Sequence, residues 1–175
     1  MATRKSIWIL IGMIVIMAWL LGSVTEAGAQ TYILKCRETG YMPKVHVLEV
    51  GDVPSHVLLV GEIAGMLSCE DGSIATTSTK WMTDMTKGSG KSQAYELISY
   101  EDGSTTWVKS KTTVTAEPER KTGRWEGTFE YVKGTGRFEG IQGSASYTGK
   151  RLVSTPSAGA QYYVDLTITY TLPSK

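Results

Sequence analysis

The chain has 175 residues, with 18 Lys and Arg against 17 Asp and Glu, a formal net charge of +1 and 41% hydrophobic side chains. With no basic excess and no run of like charge, nothing in it would displace counterions from DNA or RNA, so a nucleic-acid partner is not expected. Two cysteines and two histidines without Cys-x-x-Cys or His-x-x-x-His spacing offer no metal site, and no cofactor is expected either.

The N-terminus carries Arg4 and Lys5, then the apolar run "SIWILIGMIVIMAWLLG", then Ala27, Gly28 and Ala29 in the small-x-small form of a cleavage site. This is the pattern of a secretory signal peptide over 1–29, and it predicts a secreted or periplasmic product beginning at Gln30. The alternative is a retained anchor, because the apolar run approaches the length that crosses a bilayer. Residues 30–175 then form one domain, long enough for a real core, with equal numbers of acidic and basic side chains and no membrane contact once the leader is removed.

From residue 30 onward the pattern is alternation. "TYILKCRE", "HVLLVGEIAGML", "SIATTSTKW", "QAYELISY" and "TTWVKSKTTVT" are rich in β-branched and aromatic residues. "WEGTFEY" places Trp125, Gly127, Phe129 and Tyr131 on one face, and "YYVDLTITYTL" places Tyr162, Val164, Leu166, Ile168, Tyr170 and Leu172 on one face. Turn signals divide the strands: "EDGS" at 70–73 and again at 101–104, "KGSG" at 87–90 and "KGTG" at 133–136. Seven or eight strands with such punctuation predict an all-β sandwich or barrel.

Several side chains on these strands are candidates for chemistry. Cys36 and Cys69 both lie in the exported part, where a disulfide is permitted; two buried thiols are the other possibility. Glu62 shares a face with Leu58, Val60, Ala64 and Met66. If that face is enclosed, its carboxyl is desolvated and suited to acid–base work; if it points outward, Glu62 pairs with a cation of the next strand. Glu49 shares a face with Val45 and Val47, and is either a site residue or a solvated strand end. His46 and His56 flank the turn "GDVPS" and either move protons or simply hydrogen-bond at the surface. Trp81, Tyr95, Trp107, Trp125, Phe129 and Tyr131 are the rings expected to line a ligand pocket. No Ser-His-Asp order or G-x-S-x-G elbow occurs, so hydrolase machinery is not visible.

The stretch "KGTGRFEGIQGSASY" concentrates Gly134, Gly136, Gly140 and Gly143 around Phe138. Its spacing fits neither a dinucleotide fingerprint nor a P-loop, and no helical pattern follows it. The glycines are therefore expected to be structural, marking bends of a sheet.

"GTGRFEGIQGSASYTG", entered by "GRWEGTFEYVKGTG", resembles the glycine-rich strand pair of the allene oxide cyclase and dirigent barrels, over about residues 123 to 152. The resemblance implies a closed antiparallel barrel of about eight strands, a lumen open at one end, secretion and a homotrimer. It also implies small apolar or phenolic substrates. The cyclases close a fatty-acid-derived allene oxide into a cyclopentenone, and dirigents guide the coupling of phenolic radicals without performing the oxidation. Of the cyclase motif only Glu49 carries over: Gly51 stands where the asparagine belongs, and Pro54 and Ser55 follow in reversed order. Two functions are therefore expected. One is a non-catalytic or dirigent-like lumen that binds or orients a small apolar or phenolic molecule. The other is a cofactor-independent cyclase or isomerase using Glu49 or Glu62. An open apolar lumen with a buried carboxyl favours the second and one without favours the first. A lumen packed solid leaves only a scaffold.

Overall fold

A computed structural model describes residues 30–153 and 156–174, so the leader expected over 1–29 lies outside the described residues. Eight antiparallel strands follow one another: β1 (Gln30–Glu49), β2 (His56–Cys69), β3 (Ile74–Thr86), β4 (Ser89–Tyr100), β5 (Thr105–Glu117), β6 (Thr122–Gly134), β7 (Gln142–Arg151) and β8 (Gln161–Leu172). Each pairs with its neighbour in sequence, and β1 also pairs with β8, which closes the barrel. Closure satisfies every edge, so no strand is left with an unpaired row of backbone groups. Helix among the described residues is limited to two single 3₁₀ turns, Pro118–Arg120 and Gly136–Phe138. The expected all-β closed barrel of eight strands is the architecture observed.

The turns fall where the sequence marks them. Asp71 accepts the backbone N–H of Ser73, and Asp102 that of Ser104, so the two "EDGS" segments close their hairpins in the same way. Lys87 and Gly88 both have positive φ, 49° and 81°, which gives the β3–β4 hairpin the twist its strands require. The glycine-rich stretch departs from expectation. Gly134 ends β6 and Gly143 lies at the start of β7, but Gly136 and Gly140 sit in the connection between them. They shape a loop that seats buried Phe138 against the lower end of the barrel instead of bending the interior of a strand. Spacing alone does not distinguish these, since both uses ask for the same backbone freedom.

Inside, every second residue turns to the lumen. Leu67, Ile98, Val108, Phe129 and Ile168, each no more than 3% exposed, form a floor across the middle. It separates a cavity toward the end carrying the β1–β2, β3–β4, β5–β6 and β7–β8 connections (the upper end) from one toward the opposite, lower end. An eight-stranded barrel is just wide enough for such a mixture of filled layers and small cavities. Cys36 and Cys69 are register partners on β1 and β2 and are joined by a disulfide.

Candidate functional site

Inward-facing glycines make room for the large polar side chains of the upper cavity. A Cβ added at Gly65 would stand 2.5 Å from the Tyr162 hydroxyl, one at Gly61 2.5 Å from the Trp81 ring, and one at Gly127 2.7 Å from the Tyr147 ring. The Arg151 guanidinium likewise lies 2.7 Å from where a Cβ at Gly123 would be. Strand glycines here are seats for the opposing side chain, a close-approach use that their sequence context does not announce.

These seats frame a cavity of about 90 Å³, lined mainly by apolar side chains, with Trp81, Trp125 and Phe129 among its walls. Two carboxyl groups also line it, Glu38 of β1 and Glu96 of β4. Glu38 is 7% exposed. Its Oε1 accepts hydrogen bonds from the Tyr162 hydroxyl at 2.5 Å and from Thr77 Oγ1 at 2.7 Å. Burial raises its pKa, and the two hydrogen bonds pull it back. Burial raises that of Glu96 further, reinforced by repulsion from Glu38. Among the described residues, no donor stabilises an ionised Glu96 as Tyr162 and Thr77 stabilise Glu38. The pair thus splits: Glu38 loses its proton first, and Glu96 holds its own to higher pH.

The remaining polar groups complete the wall. The Tyr147 hydroxyl bonds Thr112 Oγ1 at 2.6 Å, and burial raises its pKa. Arg151, 1% exposed, donates from Nε to the Val153 carbonyl at 2.9 Å, and burial lowers its pKa to about 10. The upper lumen therefore has its cation on the last residue of β7, near the mouth, and its carboxyl pair further along the strands. Nothing in this donor set resembles a metal site, and no group of three or more His, Cys, Asp or Glu side chains among the described residues could hold a metal ion.

The anticipated site residues divide by strand parity. Trp81, Trp125 and Phe129 line the upper cavity, and Tyr131 lines the lower one. Tyr95 and Trp107 point outward and are exposed; Tyr95 takes the Lys109 ammonium over its ring at 5.6 Å. Glu62 also lies on the outer wall with its apolar companions, and pairs with Lys80 at 2.9 Å. That hydrogen bond lowers its pKa, the opposite of a desolvated lumen acid. Alternation defines two faces, but only closure of the barrel makes one of them the inside. Glu49 is exposed at the upper rim, beside the β1–β2 connection, and His46 is exposed on β1. His56 is held between Asp52 and Asp84. Glu38 and Glu96 did not figure among the candidates, although the same alternation contains them. Glu38 shares a face with Leu34 and Cys36, and Glu96 with Ala94 and Ile98.

No family model matches the chain, and no curated protein matches it. Solved structures do. A conserved protein of unknown function from Rhodopseudomonas palustris superposes with a TM-score of 0.51 at 13% identity, covering 81% of this chain and 98% of that one. A pterocarpan synthase dirigent protein gives 0.47 at 14% identity, covering 85% and 94%. A second protein of that description gives 0.48 at 12% identity, covering 81% and 95%. The likeness to the bacterial protein is one of fold.

Proposed function

We propose that the upper lumen binds one small, largely apolar molecule bearing a carbonyl or similar oxygen, and that the Glu38–Glu96 pair moves a proton on it, as a cofactor-independent isomerase or cyclase does. The observation that carries this reading is the carboxyl pair, one of them bonded by Tyr162 and Thr77, in a cavity whose surface is mainly apolar. Glu96 holds a proton where its donation to a substrate oxygen is favourable. Glu38, its carboxylate supported by Tyr162 and Thr77, accepts one from a neighbouring carbon. In such a cycle a C–H bond of the substrate breaks toward Glu38 while Glu96 donates to the oxygen. Return of a proton to a different carbon, and of the oxygen's proton to Glu96, completes the isomerisation with no net gain or loss. The apolar walls exclude water and strengthen both electrostatic contributions.

The test uses acetone, a ketone small enough for a cavity of about 90 Å³, as a probe in deuterated water. Protein-dependent incorporation of deuterium, read by mass spectrometry, is expected for the native chain and should be lost in both Glu38→Gln and Glu96→Gln. A second reading, an orienting lumen without chemistry, is supported by the aromatic and aliphatic character of most of the wall. It predicts saturable binding of the same probe with no exchange. Exchange that survives both substitutions would overturn the proton-transfer reading.

A further inference from the structure

The lower cavity is walled off from the carboxyl pair by the hydrophobic floor and has a different chemistry. Its volume is about 220 Å³; an enclosed apolar cavity of about 150 Å³ is enough to take up benzene. Its walls are mostly rings. Tyr32 and Tyr170 lie stacked, centroids 4.9 Å apart and planes 12° from parallel. Phe138 and Tyr131 meet Tyr170 edge-on, each at 6.3 Å. Four phenols and a phenylalanine around one hollow present flat faces and polarised edges, which favour a flat aromatic guest over an aliphatic chain.

The polar groups define what such a guest carries. Asp71 is engaged by both the backbone N–H and the hydroxyl of Ser73. Arg137 lies 3.5 Å from Asp102, with its guanidinium over the rings of Tyr100 and Phe138 at 4.9 and 4.8 Å. Two carboxylates against one guanidinium leave no surplus positive charge for an anion. Tyr131 is different: largely enclosed, on the lumenal face of β6, its hydroxyl makes no hydrogen bond to any described residue. That hydroxyl opens to the cavity, since the unpartnered buried polar atoms among the described residues are Trp81 Nε1, Thr106 Oγ1 and Trp125 Nε1, and a guest with one donor or acceptor can bond it there.

We infer that the lower cavity is a second binding site, distinct from the carboxyl-lined lumen, for a small flat aromatic molecule bearing one neutral hydrogen-bonding group. The ring slides beside the Tyr32–Tyr170 stack, and the polar group meets the Tyr131 hydroxyl. The inference is independent of proton transfer in the upper cavity, since no residue is shared between the two linings.

Indole serves as the probe, with isotopically labelled protein and isotope-filtered nuclear Overhauser contacts to locate it. Contacts are expected to the rings of Tyr32, Tyr131 and Tyr170 and not to Trp81 or Trp125, which line the other cavity. Tyr131→Phe keeps the ring and removes the hydroxyl. Affinity should fall about five- to tenfold, the equivalent of one neutral hydrogen bond, with melting unchanged. Tyr32→Ala, at the start of β1, removes one side of the stack and should weaken binding about threefold or more. Indole-3-carboxylate should bind more weakly than indole. Contacts to Trp81 and Trp125 in place of the tyrosines, no saturable binding, affinity untouched by both substitutions, or tighter binding of the carboxylate would each overturn the inference.

Discussion

Valine at position 140 would need a backbone φ of +75°, and its Cβ would stand 2.6 Å from Cγ of Pro173. Strain at such a position costs about 1–3 kcal/mol. Gly140→Val should therefore lower the melting temperature by several degrees in a domain of this size, read by a thermal scan. Unaltered melting would mean that the glycine serves something other than the loop under Phe138. Glu96 gives a prediction of the opposite kind. Its folded pKa is raised by burial and by Glu38. The native state therefore binds more protons than the unfolded state once pH exceeds the ordinary carboxylate range. The sign follows: this contribution to stability is fully present below the unfolded pKa and is lost as pH rises through the folded one. Glu96→Gln removes that loss. The gap in melting temperature between variant and native chain should move in the variant's favour from pH 5 to pH 8, and a gap constant across that range would refute a buried neutral carboxyl.

The β1–β2 connection is an element with its own lock. His56, whose side chain is 17% exposed, contacts Asp52 Oδ1 through Nδ1 at 2.5 Å and Asp84 Oδ1 through Nε2 at 2.9 Å. The ring thus ties the rim loop to β3. These hydrogen bonds, Asp52 first, raise the histidine's pKa, and that to His56 lowers the pKa of Asp52. The histidine's share of stability is fully present below about pH 6.5 and is lost as pH rises through its raised value. The aspartate's share is present above about pH 4 and is lost as pH falls through its depressed value. The lock is therefore tightest between these limits. Amide exchange at Lys87, whose N–H bonds the Ser55 carbonyl across the same corner, should be slowest there. Faster exchange at pH 8.5 than at pH 6, beyond the intrinsic chemical rate, is expected in the native chain and should be abolished in Asp84→Asn. A ratio equal in both proteins would show that His56 does not hold the loop.

At the scale of the whole molecule, β1 is the strand that closes the barrel, and its bond to β2 is reinforced covalently. Cys36 and Cys69 are 33 residues apart in sequence. Holding that loop closed in the unfolded chain is worth about 2–4 kcal/mol. Replacing both cysteines with alanine should lower the melting temperature by roughly 5–15 °C, read by calorimetry without reductant. A change within a degree or two would place the closure of the barrel wholly in its hydrogen-bonded ladder and core.

Strand number, turn positions and the inward set on β6 and β8 were legible in the chain because alternation and turn chemistry are local properties. Tyr162 to Leu172 and Trp125 to Tyr131 read out their buried faces directly. A carboxylate among apolar neighbours was legible in the same way. Which carboxylate faces the lumen was not. Glu62 and Glu38 each sit on an apolar face of a strand, yet the first meets Lys80 in solvent and the second meets Tyr162 and Thr77 in the lumen. Only closure of the sheet assigns an inside, and only the register across β1, β4 and β8 brings Glu38, Glu96 and Tyr162 to one cavity. The pairing of a side chain with the glycine that seats it belongs to tertiary structure for the same reason: it joins residues from different strands, and no local pattern carries that distance.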